Sequence, residues 1–293
     1  MKTFGRILIW VGVMAGLTLV AMGIWYMALG GNQTTSSLKW LQFLQTLGTF
    51  LIPPIICAWM WDNCHCPFNW LRLNKGANWI VIVIAIAIMI CGIPAINLLA
   101  DLNSRIKLPE SIDFIEQIFK QQEESAAILT ERFLQADNIW QLLLNICLLA
   151  VLPAFAEEFT FRGTLQQLLA ESRHTIAVKN TAIWVSAFIF SAIHMQFYGF
   201  VPRMLMGALF GYMLVWTGSL WVPVLMHFTN NVIAVISYYL FDKIGENGTN
   251  YADTFGAGTT WWVGILSLIL VSVLLWLLTS LDLPGYVRRT HKQ

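Results

Sequence analysis

Residues 142–169 read LLLNICLLAVLPAFAEEFTFRGTLQQLL, and this stretch decides what kind of protein the chain is. It is long and apolar enough to cross a bilayer, which takes about 20 mostly apolar residues. Yet Glu157, Glu158 and Arg162 fall within six positions of it. An ionisable side chain at bilayer depth costs at least about 2.5–3.5 kcal/mol and by default marks a functional site. Helical geometry divides the work among the three. Glu158 and Arg162 are four residues apart and share a face, so they can form an ion pair. Glu157 is rotated by about 100° and is left without that cation. A pair that only fixes helix packing accounts for Glu158 and Arg162 but not for Glu157. A carboxylate without a cation in low dielectric suits a general base or acid.

The rest of the chain has the same character. Of its 293 residues, 57% are hydrophobic and 11% charged, with mean hydropathy +0.65. Soluble domains run about 45–50% apolar and about 25% charged. This composition excludes a soluble globular enzyme, a disordered chain and a nucleic-acid-binding protein. The net charge of +1 offers polyanions no electrostatic footprint. The 14 Trp and 18 Phe fit aromatic belts at bilayer interfaces.

Eight apolar runs predict an all-α, polytopic bundle of about eight transmembrane helices in one integral-membrane domain. They are 7–29, 40–61, 79–100, 142–169, 181–199, 201–217, 220–241 and 260–281. The first is too long for a cleaved signal peptide and lacks a small-residue cleavage site. Pro53-Pro54 should kink the second run. With the N-terminus inside, cytoplasmic segments carry nine basic and three acidic residues, and external ones seven and eleven. The nine are Lys2, Arg6, Arg72, Lys75, Arg173, Lys179, Arg288, Arg289 and Lys292, and the external seven include Lys39, Lys107 and Arg203. The positive-inside rule then places both termini in the cytoplasm, and the short cytoplasmic tails without retention signals suggest a bacterial plasma membrane.

Between the third and fourth runs, segment 101–138 sets Ile112, Ile115, Phe119, Ala126, Leu129 and Phe133 at helical spacing behind Pro109. It reads as an external amphipathic helix, packed on the bundle or the interface, with a lid role as the alternative. The five cysteines suggest no disulfide framework. Cys64-His65-Cys66 has no second ligand cluster and is not read as a metal site. Gly207 and Gly211 form a GxxxG, assigned to close helix packing.

Two of the five histidines, His194 and His227, fall inside the predicted spans, and Asn231 lies one turn beyond His227. Depth decides whether they can meet Glu157. Counting about 1.5 Å per residue from the cytoplasmic end, Glu157, His194, His227 and Asn231 lie at about 18, 20, 10 and 17 Å. They can share one layer only if the fourth helix runs on past Arg162, which the Leu- and Gln-rich 163–169 allows. A base with polar donors around it is suited to acyl transfer.

At these residues the sequence resembles the CAAX-protease and bacteriocin-processing (CPBP, or Abi) intramembrane endopeptidases, related to the type II CAAX prenyl endopeptidase. The likeness rests on Glu-Glu-x-x-x-Arg at 157–162, Phe-x-x-x-His at 190–194 and His-x-x-x-Asn at 227–231, and covers about 140–240. It implies an eight-helix bundle with a water-filled cavity and hydrolysis of peptide bonds. By position, Glu157 and His194 would activate water, and His227 and Asn231 would stabilise the oxyanion. Glu158, Arg162 and Phe190 would support them. The implied substrate is a membrane-associated peptide: a lipidated C-terminus, a pheromone, a bacteriocin leader or an anchor peptide. Zinc bound by Glu157, His194 and His227 is an alternative, as some catalytic zinc sites use His₂Glu. That set would leave the base role to Glu158, which Arg162 already occupies, so a metal-free site without a cofactor is preferred. A proton-coupled transporter is the rival class, although no inverted repeat accompanies it.

Overall fold

The computed structural model describes residues 3–62, 66–106, 109, 111, 113–171, 175–243, 254–281 and 283. Cys64, His65, Ile112 and the charges Lys2, Lys107, Arg173, Asp282, Arg288, Arg289 and Lys292 lie outside them. The described residues form an all-helical, polytopic membrane bundle. Its first half comprises α1 (Thr3–Leu29), α2 (Thr35–Gln45), α3 (Ile52–Trp61), α4 (Pro67–Trp70), α5 (Trp79–Ser104) and α6 (Asp113–Leu134). The second comprises α7 (Ile139–Asn145), α8 (Leu152–Thr160), α9 (Gln166–Ala170), α10 (Ile176–Ala192), α11 (Phe200–Thr217), α12 (Trp221–Lys243) and α13 (Trp261–Ser280).

Side-chain caps mark several starts. The side-chain oxygens of Thr34, Asn78, Asn138 and Thr175 accept from backbone amides of the first turns of α2, α5, α7 and α10. Each satisfies a donor that has no partner within the helix. Gly218 closes α11 at φ 70°, a left-handed conformation that glycine adopts without steric cost.

Proline shapes the two helical runs nearest the site. The π-helical turn Thr46–Leu51 joins α2 to α3 just before Pro53-Pro54. The π turn Ile146–Val151 joins α7 to α8 just before Pro153. A proline lacks an N–H and its ring crowds the preceding turn, and the widened turn absorbs both faults. The predicted kink at Pro53-Pro54 therefore takes the form of a π turn. A third π turn, Phe161–Leu165, carries the fourth run on into α9, so the helix continues past Arg162 as its composition suggests.

Among the described residues, seven helical runs are long and apolar enough to cross a membrane, Thr35–Trp61 and Ile139–Ala170 being two of them. The predicted fifth span, 181–199, is corrected: α10 covers Ile176–Ala192, 17 residues, and ends there. Met195 takes φ 54°, a left-handed conformation that stops the helix. Ser191 Oγ donates to the Phe200 carbonyl at 2.7 Å and ties the turn to the next helix. The apolar residues that made 195–199 resemble membrane sequence pack elsewhere, with Phe197 stacked on Phe119 of α6 at 5.0 Å.

α5 packs against α12 and α13, α10 against α11, and α12 against α8 and the π turn before it. α12 thus lies beside the helix that bears the glutamates. The amphipathic segment folds as α6, with Phe133 and Leu134 buried at its end.

Candidate active site

Glu158 and Arg162 are fully buried, 0% and 1% exposed, so their charges must be met within the protein. Arg162 Nη1 donates to Glu158 Oε1 at 2.9 Å, the ion pair that the four-residue spacing anticipates. Its Nη2 donates to the Gly207 carbonyl at 3.0 Å. The guanidinium lies over the rings of Phe190 and Phe210, at 4.5 and 5.2 Å. A Cβ at Gly207 would stand 3.1 Å from Arg162 Nη2 and from the Phe190 ring, and one at Gly211 2.6 Å from Gln166 Oε1. The GxxxG therefore brings α11 close to the charged helix.

Glu158 has a second partner that spacing could not reveal. His227 Nδ1 donates to the same Oε1 at 2.9 Å. That bond turns Nε2 toward Glu157 Oε2, 3.8 Å away. Phe210 stacks on the His227 ring, with centroids 5.6 Å apart and planes 26° apart. The imidazole is thus held by one carboxylate and presented to the other.

His194 is not inside a membrane helix, as the sequence suggested, but in the turn after α10. Its Nδ1 lies 2.8 Å from the Phe190 carbonyl. A carbonyl can only accept, so Nδ1 carries the hydrogen and Nε2 of the neutral ring keeps its lone pair. Phe190 packs edge-on to His194 at 5.2 Å and thus touches both the histidine and the arginine.

Glu157, His194, His227, Asn231 and Phe190 line one open cavity of about 760 Å³. Asn231 Oδ1 accepts from Asn230 Nδ2 at 3.2 Å, which leaves the Asn231 amide nitrogen able to donate. Gln42 and Gln45 of α2 and Ala126, Thr130 and Phe133 of α6 also line the space. The structure thus brings together the four residues that the sequence singled out. Glu158 and Arg162 are buried behind them.

Sequence reasoning missed Arg203, which it counted among external loop charges. Arg203 lies in α11 and lines the cavity, and its Nη2 donates to Gln196 Oε1 at 2.6 Å. A signal was present, because residues 203, 207 and 211 recur every four positions on one helix face. Lys39, likewise counted as an external charge, lies in α2 and donates to Asn145 Oδ1 at 2.7 Å. Among the described residues, no group of three His, Cys, Asp or Glu side chains is set to hold a metal ion. Glu157, His194 and His227 share a cavity without forming a ligand set.

The fold and this cavity define a polytopic helical membrane protein with a glutamate–histidine site within the bundle. Residues 139–233, which contain all seven singled-out site residues, match the family described as type II CAAX prenyl endopeptidase Rce1-like, and over that segment the chain is similar to this family. Over 88 residues the chain is 34% identical to the uncharacterized protein YpbD of Bacillus subtilis (strain 168). That match covers 29% of this chain and 40% of YpbD, so it spans less than half of the relative's length. No solved structure matches the chain.

Proposed function

We propose that the protein is an intramembrane endopeptidase that hydrolyses peptide bonds of membrane-associated peptides. The observation that carries this reading is the single cavity lined by Glu157, His194, His227 and Asn231. Glu157 takes a proton from the attacking water, and the Nε2 lone pair of His194 orients that water. The amide of Asn231 donates to the developing oxyanion. His227 already uses Nδ1 on Glu158, so it donates to the oxyanion only with a proton on Nε2. Glu157, 3.8 Å away, is the group that exchanges that proton with it. No protein nucleophile is needed.

We favour the metal-free form, because zinc on Glu157, His194 and His227 would leave the base role to Glu158, which already accepts from Arg162 and His227. The substrate is a peptide, lipidated or not, that enters from the bilayer. The Arg6–Glu171 ion pair joins the start of α1 to the end of α9 on one face. An arrangement with that face and both termini in the cytoplasm of a plasma-membrane protein accords with it.

The test is purified protein in detergent with a peptide library, read by mass spectrometry. Cleavage should occur, persist in strong chelators and fall by about 10²–10⁴ in Glu157→Gln, the usual worth of a positioned acid–base group. Loss to chelation with rescue by zinc would replace the metal-free mechanism and leave the protease reading standing. Proton-coupled flux through reconstituted vesicles without cleavage would replace the enzyme by a transporter.

A further inference from the structure

A second cavity, of about 390 Å³, opens at the face where α1 begins and α9 ends, and it shares no lining residue with the first. Arg72, Lys75 and Lys179 bring three cations to it, Trp70 and Gln167 form part of the wall, and Glu171 is its one carboxylate. Glu171 is already engaged, because Arg6 Nη1 and Thr3 Oγ1 both donate to it. Among the described residues, no carboxylate forms an ion pair with Arg72, Lys75 or Lys179. The cavity therefore presents cations in excess.

Arg72 is also held in place. Gln167 Nε2 donates to the carbonyls of Trp70 and Gly163, at 3.2 and 2.6 Å. Its Oε1 accepts from Arg72 Nε at 2.9 Å, which leaves both terminal nitrogens of the guanidinium as a fork. Arg72 sits at φ 59°, a strained conformation for a residue other than glycine. Three bonds hold its loop to the turn between α11 and α12. Leu220 N donates to the Arg72 carbonyl at 3.2 Å, Trp221 Nε1 to the Leu73 carbonyl at 2.8 Å, and Ser219 Oγ to the Lys75 carbonyl at 2.5 Å. Burial pushes the Arg72 guanidinium below its ordinary pKa, as expected of a cation taken from water without a counter-ion.

The surroundings are those of a bilayer boundary. Trp70 packs edge-on against Trp61 at 5.4 Å, and Trp61 ends the apolar helical run Thr35–Trp61, where aromatic belts form. Leu214 and Val215 supply an apolar flank. Basic pockets between membrane helices recognise phosphate-bearing headgroups, and an arginine fork matches phosphate oxygens in pairs. We propose that this cavity is a binding site for a phosphate-bearing anion, supplied by an anionic phospholipid headgroup or by soluble phosphate.

The test reconstitutes the full chain in detergent and counts retained lipid by native mass spectrometry. Wild type should retain phosphatidylglycerol over phosphatidylcholine. Arg72→Gln and Lys179→Gln should each weaken that retention about five-fold, the usual worth of one basic residue near an anionic surface. Lys179→Gln is the variant that leaves the hydrogen-bonded loop intact, and melting of both variants confirms folding. Inorganic phosphate supplies the second arm. Displacement of phosphatidylglycerol by millimolar phosphate from wild type, but not from the variants, assigns the same site to a soluble anion. Failure to displace assigns it to the lipid. Equal retention of the two lipids by wild type, or unchanged retention in folded Lys179→Gln, would overturn the proposal.

Discussion

The two sides of the first cavity are built in opposite ways. On the inner side, Glu158, Arg162 and His227 are all buried, Arg162 and His227 both bond to Glu158, and each of the three sits within a helical run. On the outer side, His194 sits on a turn, and α6 is attached to that turn by two contacts. Phe119 stacks on Phe197 with planes 4° apart, and Glu123 Oε2 accepts from Tyr198 N at 3.4 Å. The difference follows from desolvation. Buried charges are tolerable only when paired in fixed geometry, so the inner layer must be rigid. A histidine that meets water and a substrate, as proposed for His194, needs neither condition. It is carried on a turn, where binding and catalytic residues are often found. In the proposed mechanism the inner side would orient the site, and the outer side would face what enters it.

Removing Arg162 should have the largest effect. Arg162→Met leaves Glu158 as a buried carboxylate with one partner fewer. It should cost about 3–5 kcal/mol, seen as a lower melting temperature in detergent. Adding Glu158→Gln to it should recover much of that loss, because the uncompensated charge is gone. If Arg162→Met melted like wild type, the inner layer would be no more rigid than the outer one and the contrast would fail.

Asn231→Ala sharpens the contrast, because Asn231 lines the cavity without joining the ion network. Turnover should fall by about 10²–10³, the usual worth of one oxyanion donor. Melting temperature should stay the same. A stability loss comparable to that of Arg162→Met would assign Asn231 to the buried layer instead.

The smallest effect should come from Phe119→Ala. An aromatic pair is worth about 0.5–1.5 kcal/mol beyond its buried area, so turnover and KM should change only several-fold. Hydrogen exchange should quicken in α6 and in residues 195–199 and stay slow in α8 and α12. Uniform exchange across both sides would show that α6 is not separately attached.

Much of this was legible in the residues, and what was not has a common cause. The Glu158–Arg162 pair was readable because a helix alone brings positions four apart together. Span positions were readable because bilayer thickness sets a length. The continuation of the fourth helix past Arg162 followed from its composition. The end of α10 was hidden, since Phe197, Tyr198 and Phe200 are as apolar as a membrane segment, and only their packing on other elements tells them apart. Arg203 was misplaced because it stands at the start of its predicted run, 201–217, and was counted with the external charges, whereas α11 packing turns it into the cavity.

Periodicity and hydrophobic length depend on the local chain, and they settled the helical class, the membrane setting and the separation of Glu157 from its neighbour. Tertiary packing decided the rest. His227 reaches Glu158 across 69 positions only because α12 packs beside α8. Gly207 admits Arg162 because it has no side chain, and α11 can therefore approach the charged helix. Those distances are set by the shapes of several helices at once, and no single stretch of residues contains them.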